Sequence, residues 1–260
     1  EDLIEQRLNA GKLTFRVTER IYREGQWKAI SPKGLYHKYK EHIRYRNAPA
    51  YLLCAGAYVA SDFRLIHAYP GKKLKFGYFP ELRTYEGDAL WEKKRKDGID
   101  IIFAGRFIPL KHPEYMIRLA ADLKKLWEEG QSKEDTEAAF PQVLIHMAGS
   151  GQMEEDLRQM AKDLQVEKEV IFYGFQSPAA VRDRMEQSHI MVFPSNHLEG
   201  WGAVVNEAMN SGCAVVACEQ AGAVPYLIKN GENGFIFKKD YKELLQEVTE
   251  LVKNPELRLR

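Results

Sequence analysis

Two glutamates stand eight positions apart in Glu199-Gly-Trp-Gly-Ala-Val-Val-Asn-Glu207, with Gly200 and Gly202 between them. Glycines there let the backbone turn tightly without a Cβ penalty. From Ala203 the run AVVNEAMNSG reads as a helix closed by Gly212, which sets Glu207 one turn inside it and Glu199 on the loop before. The free amides of Gly202, Ala203 and Val204 at the helix start point into the gap between the two acids. Such a place can hold an anion on backbone N–H groups while the carboxylates accept hydrogen bonds from hydroxyls. A sugar nucleotide presents both kinds of group.

The elements that must position these residues flank them. His189-Ile-Met-Val-Phe193 is a short apolar run suited to a buried parallel strand, with Pro194 and Ser195 as punctuation. Cys213-Ala-Val-Val-Ala-Cys218 reads as the next strand. Strand, loop, helix, strand is a βαβ unit, and ligands of such sheets bind at the carboxyl ends of the strands. From residue 98 the alternation continues, with strands expected near 100–104, 142–147, 169–173, 189–193, 214–217 and 234–237. Helices are expected near 113–128, 152–164, 178–187, 203–211, 222–229 and 240–253, with a polar exposed loop at 129–139. The fold class is therefore α/β, a doubly wound parallel sheet over residues 98–260.

Upstream, residues 12–17, 50–54 and 74–79 read as strands, and 32–46 and 58–69 as helices. They fit the second half of another α/β domain over residues 1–88. A charge-dense linker runs to about residue 97.

Pro194-Ser195, the E-x7-E element, Ala208-Met209 and Gly212-Cys-Ala-Val-Val-Ala217 together resemble the donor-binding domain of retaining glycosyltransferases of the GT-B fold, family 4 type. Four further landmarks match in order: Ile101-Ile-Phe-Ala-Gly-Arg-Phe107, Lys111, Ala148-Gly-Ser-Gly151 and Phe172-Tyr-Gly-Phe175. Ordered motifs over about 140 residues are far more specific than any single one. His112 replaces the glycine that commonly follows this lysine in the family. The resemblance implies one Rossmann-like donor domain joined to part of an acceptor-side domain, in a chain expected to be cut from a longer one at both ends. The opening residues lack an initiator methionine and a signal-peptide pattern.

The resemblance also implies an activity: a hexosyltransferase that moves a sugar from a UDP-, GDP- or ADP-sugar to a glycan or lipid-linked acceptor with retention, in polysaccharide biosynthesis. Glu199 would be the catalytic residue. Arg106 and Lys111 would clamp the diphosphate, and preorganised cations aimed at a leaving group's charge lower a barrier strongly. With that clamp no metal or other cofactor is expected. Glu207 would accept the ribose hydroxyls, Gly149 would let the backbone approach, and Phe175 would either contact the base or simply pack. A non-catalytic nucleotide-sugar binding fragment and a sugar-nucleotide epimerase on the same fold are the alternatives. Gly149-Ser-Gly151 also hints at a dinucleotide oxidoreductase, but Glu154 stands where the third glycine of that fingerprint belongs.

Composition fits a globular protein: 45% hydrophobic and 29% charged residues, with no apolar run of the roughly 20 residues a membrane helix needs. The expected location is the cytoplasm, at the inner membrane face if the acceptor is a lipid. The net charge of +1 hides a split. Residues 1–97 carry 20 basic and 12 acidic side chains, +8, and the rest 18 and 25, −7. The basic part suits a lipid-linked anionic acceptor and peripheral membrane association; the alternative for Lys93, Lys94 and Lys96 is a solubilised linker. No nucleic-acid partner is expected. His197, and Glu19 and Arg20 with Arg23, are further candidates for the site, each more often a solvated side chain. Cys54, Cys213 and Cys218 lack metal-ligand spacing and read as buried small hydrophobes.

Overall fold

A computed structural model describes residues 3–22, 31–131, 140–238 and 240–259. The chain forms two compact units. The first comprises Glu1–Phe79, His197–Gly202 and Ala221–Tyr226, and the second Pro80–Asn196, Ala203–Gln220 and Leu227–Arg260.

In the first unit, strands β1 (Thr14–Thr18), β2 (Ala50–Ala55) and β3 (Lys73–Phe76) form a parallel sheet in that order. Helices α1 (Leu3–Asn9), α2 (Pro32–Glu41) and α3 (Val59–Leu65) accompany it. Helix α2 starts on a cap: Ser31 Oγ accepts the Gly34 N–H at 3.1 Å and Pro32 occupies the first turn. The helix expected over 32–46 breaks at His42, where the backbone leaves helical geometry and resumes as a 3-10 turn at Ile43–Tyr45. The helix expected over 58–69 is shorter because His67 and Tyr69 take positive φ values of 51° and 49°. Phe63, Tyr69, Leu52 and Tyr45 form the core.

The second unit holds a six-stranded parallel sheet of β4 (Ile99–Ala104), β5 (Val143–Ala148), β6 (Val170–Gly174), β7 (Ile190–Phe193), β8 (Ala214–Cys218) and β9 (Phe235–Phe237). Its order is β6-β5-β4-β7-β8-β9. β4 is buried along its whole length, as its apolar sequence requires of a central strand. Its helices are α4 (Ala89–Lys93), α5 (Glu114–Gln131), α6 (Glu154–Asp163), α7 (Pro178–Gln187), α8 (Ala203–Asn210), α10 (Tyr241–Lys253) and α11 (Pro255–Arg258), while α9 (Val224–Leu227) falls, but for its last residue, in the first unit. Helix α5 outlasts its expected end at 128, so the loop expected from 129 begins later; residues 132–139 lie outside the described residues. Strand order reverses direction between β4 and β7, the switch point at which open α/β sheets bind ligands.

Residues 80–97 group with the second unit and are tied to it by charge. Arg83 Nη1 reaches Glu186 at 2.6 Å and Asp183 at 2.7 Å, and Lys93 and the Tyr85 hydroxyl also donate to Glu186. Burial alone would raise the Glu186 carboxyl, but these donors hold it down at about 2. Cys213 lies just before β8 rather than in it, and its Sγ donates to the Met185 carbonyl at 3.1 Å. All three cysteines are buried, and burial pushes the thiols of Cys54 and Cys213 up to about 11, which marks them as structural.

Candidate functional site

At the carboxyl end of the second sheet, the turns after β4, β5 and β6 meet through backbone. Gly105 N–H donates to the Ala148 carbonyl at 3.0 Å, Phe107 N–H to Ser150 at 2.9 Å and Gly149 N–H to Gly174 at 3.1 Å. No side chain fits between them. A Cβ on Gly149 would stand 1.9 Å from the Gly105 oxygen, and one on Gly151 would stand 2.5 Å from the Phe107 oxygen. Gly149 also has φ of 155°, which L-residues rarely adopt.

This floor opens into a cavity of about 370 Å³ lined by Gly105, Arg106, Gly149, Phe175, Val204 and Glu207, with Ala203, Gln176 and Val181 completing its walls. Six of the residues singled out from the sequence, Arg106, Gly149, Phe175, Ala203, Val204 and Glu207, on three turns and one helix, thus share one chamber. Arg106 follows β4 directly and is exposed, so its guanidinium stands at the sheet edge. Phe175 is 83% exposed, which excludes the packing role and leaves a ring available to stack on a planar ligand.

Lys111 ends a 3-10 turn, Pro109–Lys111, and its aliphatic stem passes close to Gly105 while its Nζ lies 5.3 Å from the centre of the Phe193 ring. The ammonium is therefore held beside the Arg106 turn. His112 next to it takes φ of 47°, a left-handed geometry in which glycine is the easy choice. It is secured there by Glu114 at 2.8 Å, Asn196 at 3.2 Å and stacking on Tyr115. The substitution noted in the sequence is accommodated in place.

Helix α8 carries no acidic residue in its first turn, whereas α6, which follows Gly151, carries Glu154, Glu155 and Asp156. Helix α7, whose Pro178 also lines the cavity, likewise lacks a first-turn acid, but its first turn is capped by Ser177 Oγ, which accepts the Ala180 N–H; α8 thus favours an anion where α6 disfavours one. That contrast also disposes of a dinucleotide phosphate on the Gly149-Ser-Gly151 turn. Glu207 is half-buried, and burial raises its carboxyl above the usual range while Arg182 draws it back.

Glu199 and Gly202 fall outside this chamber's group, because His197–Gly202 clusters with the first unit. Within that unit the segment is anchored by Trp201, which is buried against Tyr78 and Tyr226 and leaves no room for a Cβ on Gly77. Gly56, Gly200 and Gly222 touch there through backbone, and Ala57 N–H donates to the Gly222 carbonyl at 2.9 Å. Sequence periodicity gives no sign of Trp201 as an anchor; its size on a glycine-flanked loop is the available signal. His197 lies exposed on the same segment. Arg20 pairs with the buried Asp62 at 3.3 Å and holds local structure, and Arg23 lies outside the described residues. Among the described residues no cluster of His, Cys, Asp and Glu could hold a metal ion, and no helix is long and apolar enough to cross a membrane.

Residues 91–260 match the family described as glycosyl transferases group 1. An uncharacterized glycosyltransferase of Haemophilus influenzae is 30% identical over 161 residues, which cover 62% of this chain and 41% of that protein. A D-inositol 3-phosphate glycosyltransferase of Acidothermus cellulolyticus is 30% identical over 156 residues, 58% of this chain and 33% of that one. The chain thus spans less than half the length of either. Among solved structures, HepE of Anabaena in complex with UDP aligns with a TM-score of 0.68 at 17% identity, over 97% of this chain and 66% of that one. The likeness establishes the fold as the α/β, GT-B architecture with a Rossmann-like domain.

Proposed function

The chain belongs to the glycosyl transferases group 1 family, and from that premise we propose that it takes part in glycosyl transfer from a nucleoside-diphosphate sugar. The observation that carries this is the convergence of Arg106, Gly149, Phe175, Val204 and Glu207 on one cavity at the switch point of the sheet. In this reading the diphosphate rests on the α8 amides of Ala203 and Val204 and is clamped by Arg106 and Lys111. Glu207 accepts the ribose hydroxyls, and Phe175 covers the base.

Breaking the glycosidic bond loads negative charge onto the diphosphate, and fixed cations and amides stabilise that charge without reorganising. A protein-supplied clamp makes a divalent metal unnecessary in this scheme. Glu199 positions the donor sugar near its anomeric centre, and transfer proceeds on the front face, with retention. The acceptor is a glycan or a lipid-linked glycan; the name of the D-inositol 3-phosphate glycosyltransferase among the relatives is consistent with a family that varies this partner. A hexose donor, an intracellular membrane-associated setting and a role in polysaccharide assembly complete the proposal.

Isothermal titration with UDP tests it. UDP is expected to bind, and Arg106→Ala is expected to weaken it about tenfold or more, since one charge-assisted hydrogen bond contributes about 1.5–3 kcal/mol. Absence of binding by UDP, GDP and ADP alike, or binding indifferent to Arg106, refutes the assignment.

A further inference from the structure

Helices α7 and α8 meet around one buried cation. Arg182 on α7 is 6% exposed; its Nη1 donates to the Glu81 carbonyl at 3.1 Å and its Nη2 to Asn210 Oδ1. Its Nε is buried and finds no acceptor among the described residues. Asn210 closes α8 and is itself locked, because its Oδ1 accepts the Arg83 N–H and its Nδ2 donates to the Arg83 carbonyl, both at 2.9 Å. Glu207 lies three positions before Asn210, so the two side chains are neighbours on one face of α8. Val181, the residue before Arg182, and Glu207 both line the cavity.

A guanidinium stays charged at any ordinary pH, so a buried one must be answered by carbonyls and negative charge. Two of its groups are answered by Glu81 and Asn210. Its charge also acts on the half-buried carboxylate of Glu207, which stands one turn before Asn210 on α8. We propose that Arg182 is a positioning residue of the nucleotide site: by bridging α7 to Asn210 it fixes the face of α8 that carries Glu207 and keeps that carboxylate ionised, the form that can accept two hydrogen bonds from a ribose. This rests on the assignment of Glu207 to the ribose. The other charged or titratable groups on elements packed about α8 include Arg106 in the cavity, Arg83 behind Asn210, Asp183 and Glu186 on α7, both engaged by Arg83, Arg184 on α7, which lies over the Tyr173 ring, and the buried thiol of Cys213 after α8.

The test is a carbon-13 carboxyl titration of Glu207 in the whole chain, paired with UDP calorimetry across pH. Arg182→Gln is expected to raise the Glu207 midpoint by about one pH unit, and Arg182→Lys, which keeps the charge, to leave it near the parent value. Arg182→Met, a neutral side chain of similar length that adds no charge beside Glu207, is expected to raise the midpoint as well; this variant decides the matter if Arg182→Gln does not fold. At a pH below the midpoint, UDP affinity should fall up to about tenfold when the midpoint rises by about one pH unit. Midpoints in Arg182→Gln or Arg182→Met that coincide with the parent overturn the proposal, whatever happens to stability. A raised midpoint with UDP binding indifferent to Glu207→Gln leaves the coupling standing and sinks the ribose assignment instead.

Discussion

Gly149 and Gly105 face each other so closely that a single added carbon on Gly149 would lie 1.9 Å from the Gly105 carbonyl oxygen. The turns after β4 and β5 are thus one joined surface, and their separation is set by peptide groups alone.

Gly149→Ala is expected to be among the most damaging single substitutions in the second unit. It must move backbone rather than a flexible side chain and must also hold a φ of 155°. A loss of about 3 kcal/mol in urea unfolding is anticipated, with UDP binding abolished. Retention of parent stability and affinity would show that the floor yields easily.

Glu207→Gln is expected to trade affinity for stability. The folded carboxyl is raised by burial, so its contribution to stability is present at low pH and is lost as pH rises through the raised value. At neutral pH the amide removes that burden, and the melting temperature should hold or rise. UDP affinity should fall about tenfold with loss of a charged acceptor. A variant that melts lower and binds as before contradicts both halves.

Glu199→Gln separates turnover from binding. If Glu199 acts on the reacting sugar, transfer should fall about a hundredfold, in the range seen on removing one electrostatic stabiliser, while calorimetric affinity for the donor changes far less. Equal losses in kcat and affinity would reduce Glu199 to a binding residue, and unaltered transfer would remove it from the mechanism.

Acid sensitivity should begin well above the carboxylate range. Burial, with Arg16 and Lys38 nearby, lowers His42 from 6.5 to about 4, and burial does the same to His189, whose Nδ1 accepts the Asp100 N–H at 3.1 Å. Both rings are neutral in the fold and take up protons more readily when unfolded. Their stabilising effect is therefore complete above 6.5 and is lost as pH falls toward 4, at up to about 1.4 kcal/mol per pH unit for each fully responsive ring. Urea midpoints measured from about pH 7 to 4 should fall, and His189→Gln should flatten that slope. A flat profile in the parent would count against the buried neutral state.

Much of the second unit was legible because its strands are short apolar runs closed by glycine or proline. Ile99–Ala104, Val170–Gly174 and Ile190–Phe193 announce themselves this way, and the E-x7-E spacing straddles the β7 to α8 turn as its glycines require. Helices α1, α4 and α11 were not legible, being seven, five and four residues long, too short for a periodicity to form. The left-handed turn at His112 was visible only as an unexpected residue, since a backbone angle leaves no trace when the usual glycine is absent. The grouping of 197–202 with the first unit depends on where Trp201 finds a place among Gly77, Tyr78 and Tyr226, a matter of distant packing that local sequence does not encode.

The glycine floor beneath the chamber has a bearing on how this site can vary. Since its surface is main chain, exchanging Phe175, Gln176 or Val181 on the walls would alter the chamber's rim without remodelling its base. If the proposed nucleotide sugar binds here, wall and base can vary apart, so a library confined to the walls would explore new ligands over a constant foundation.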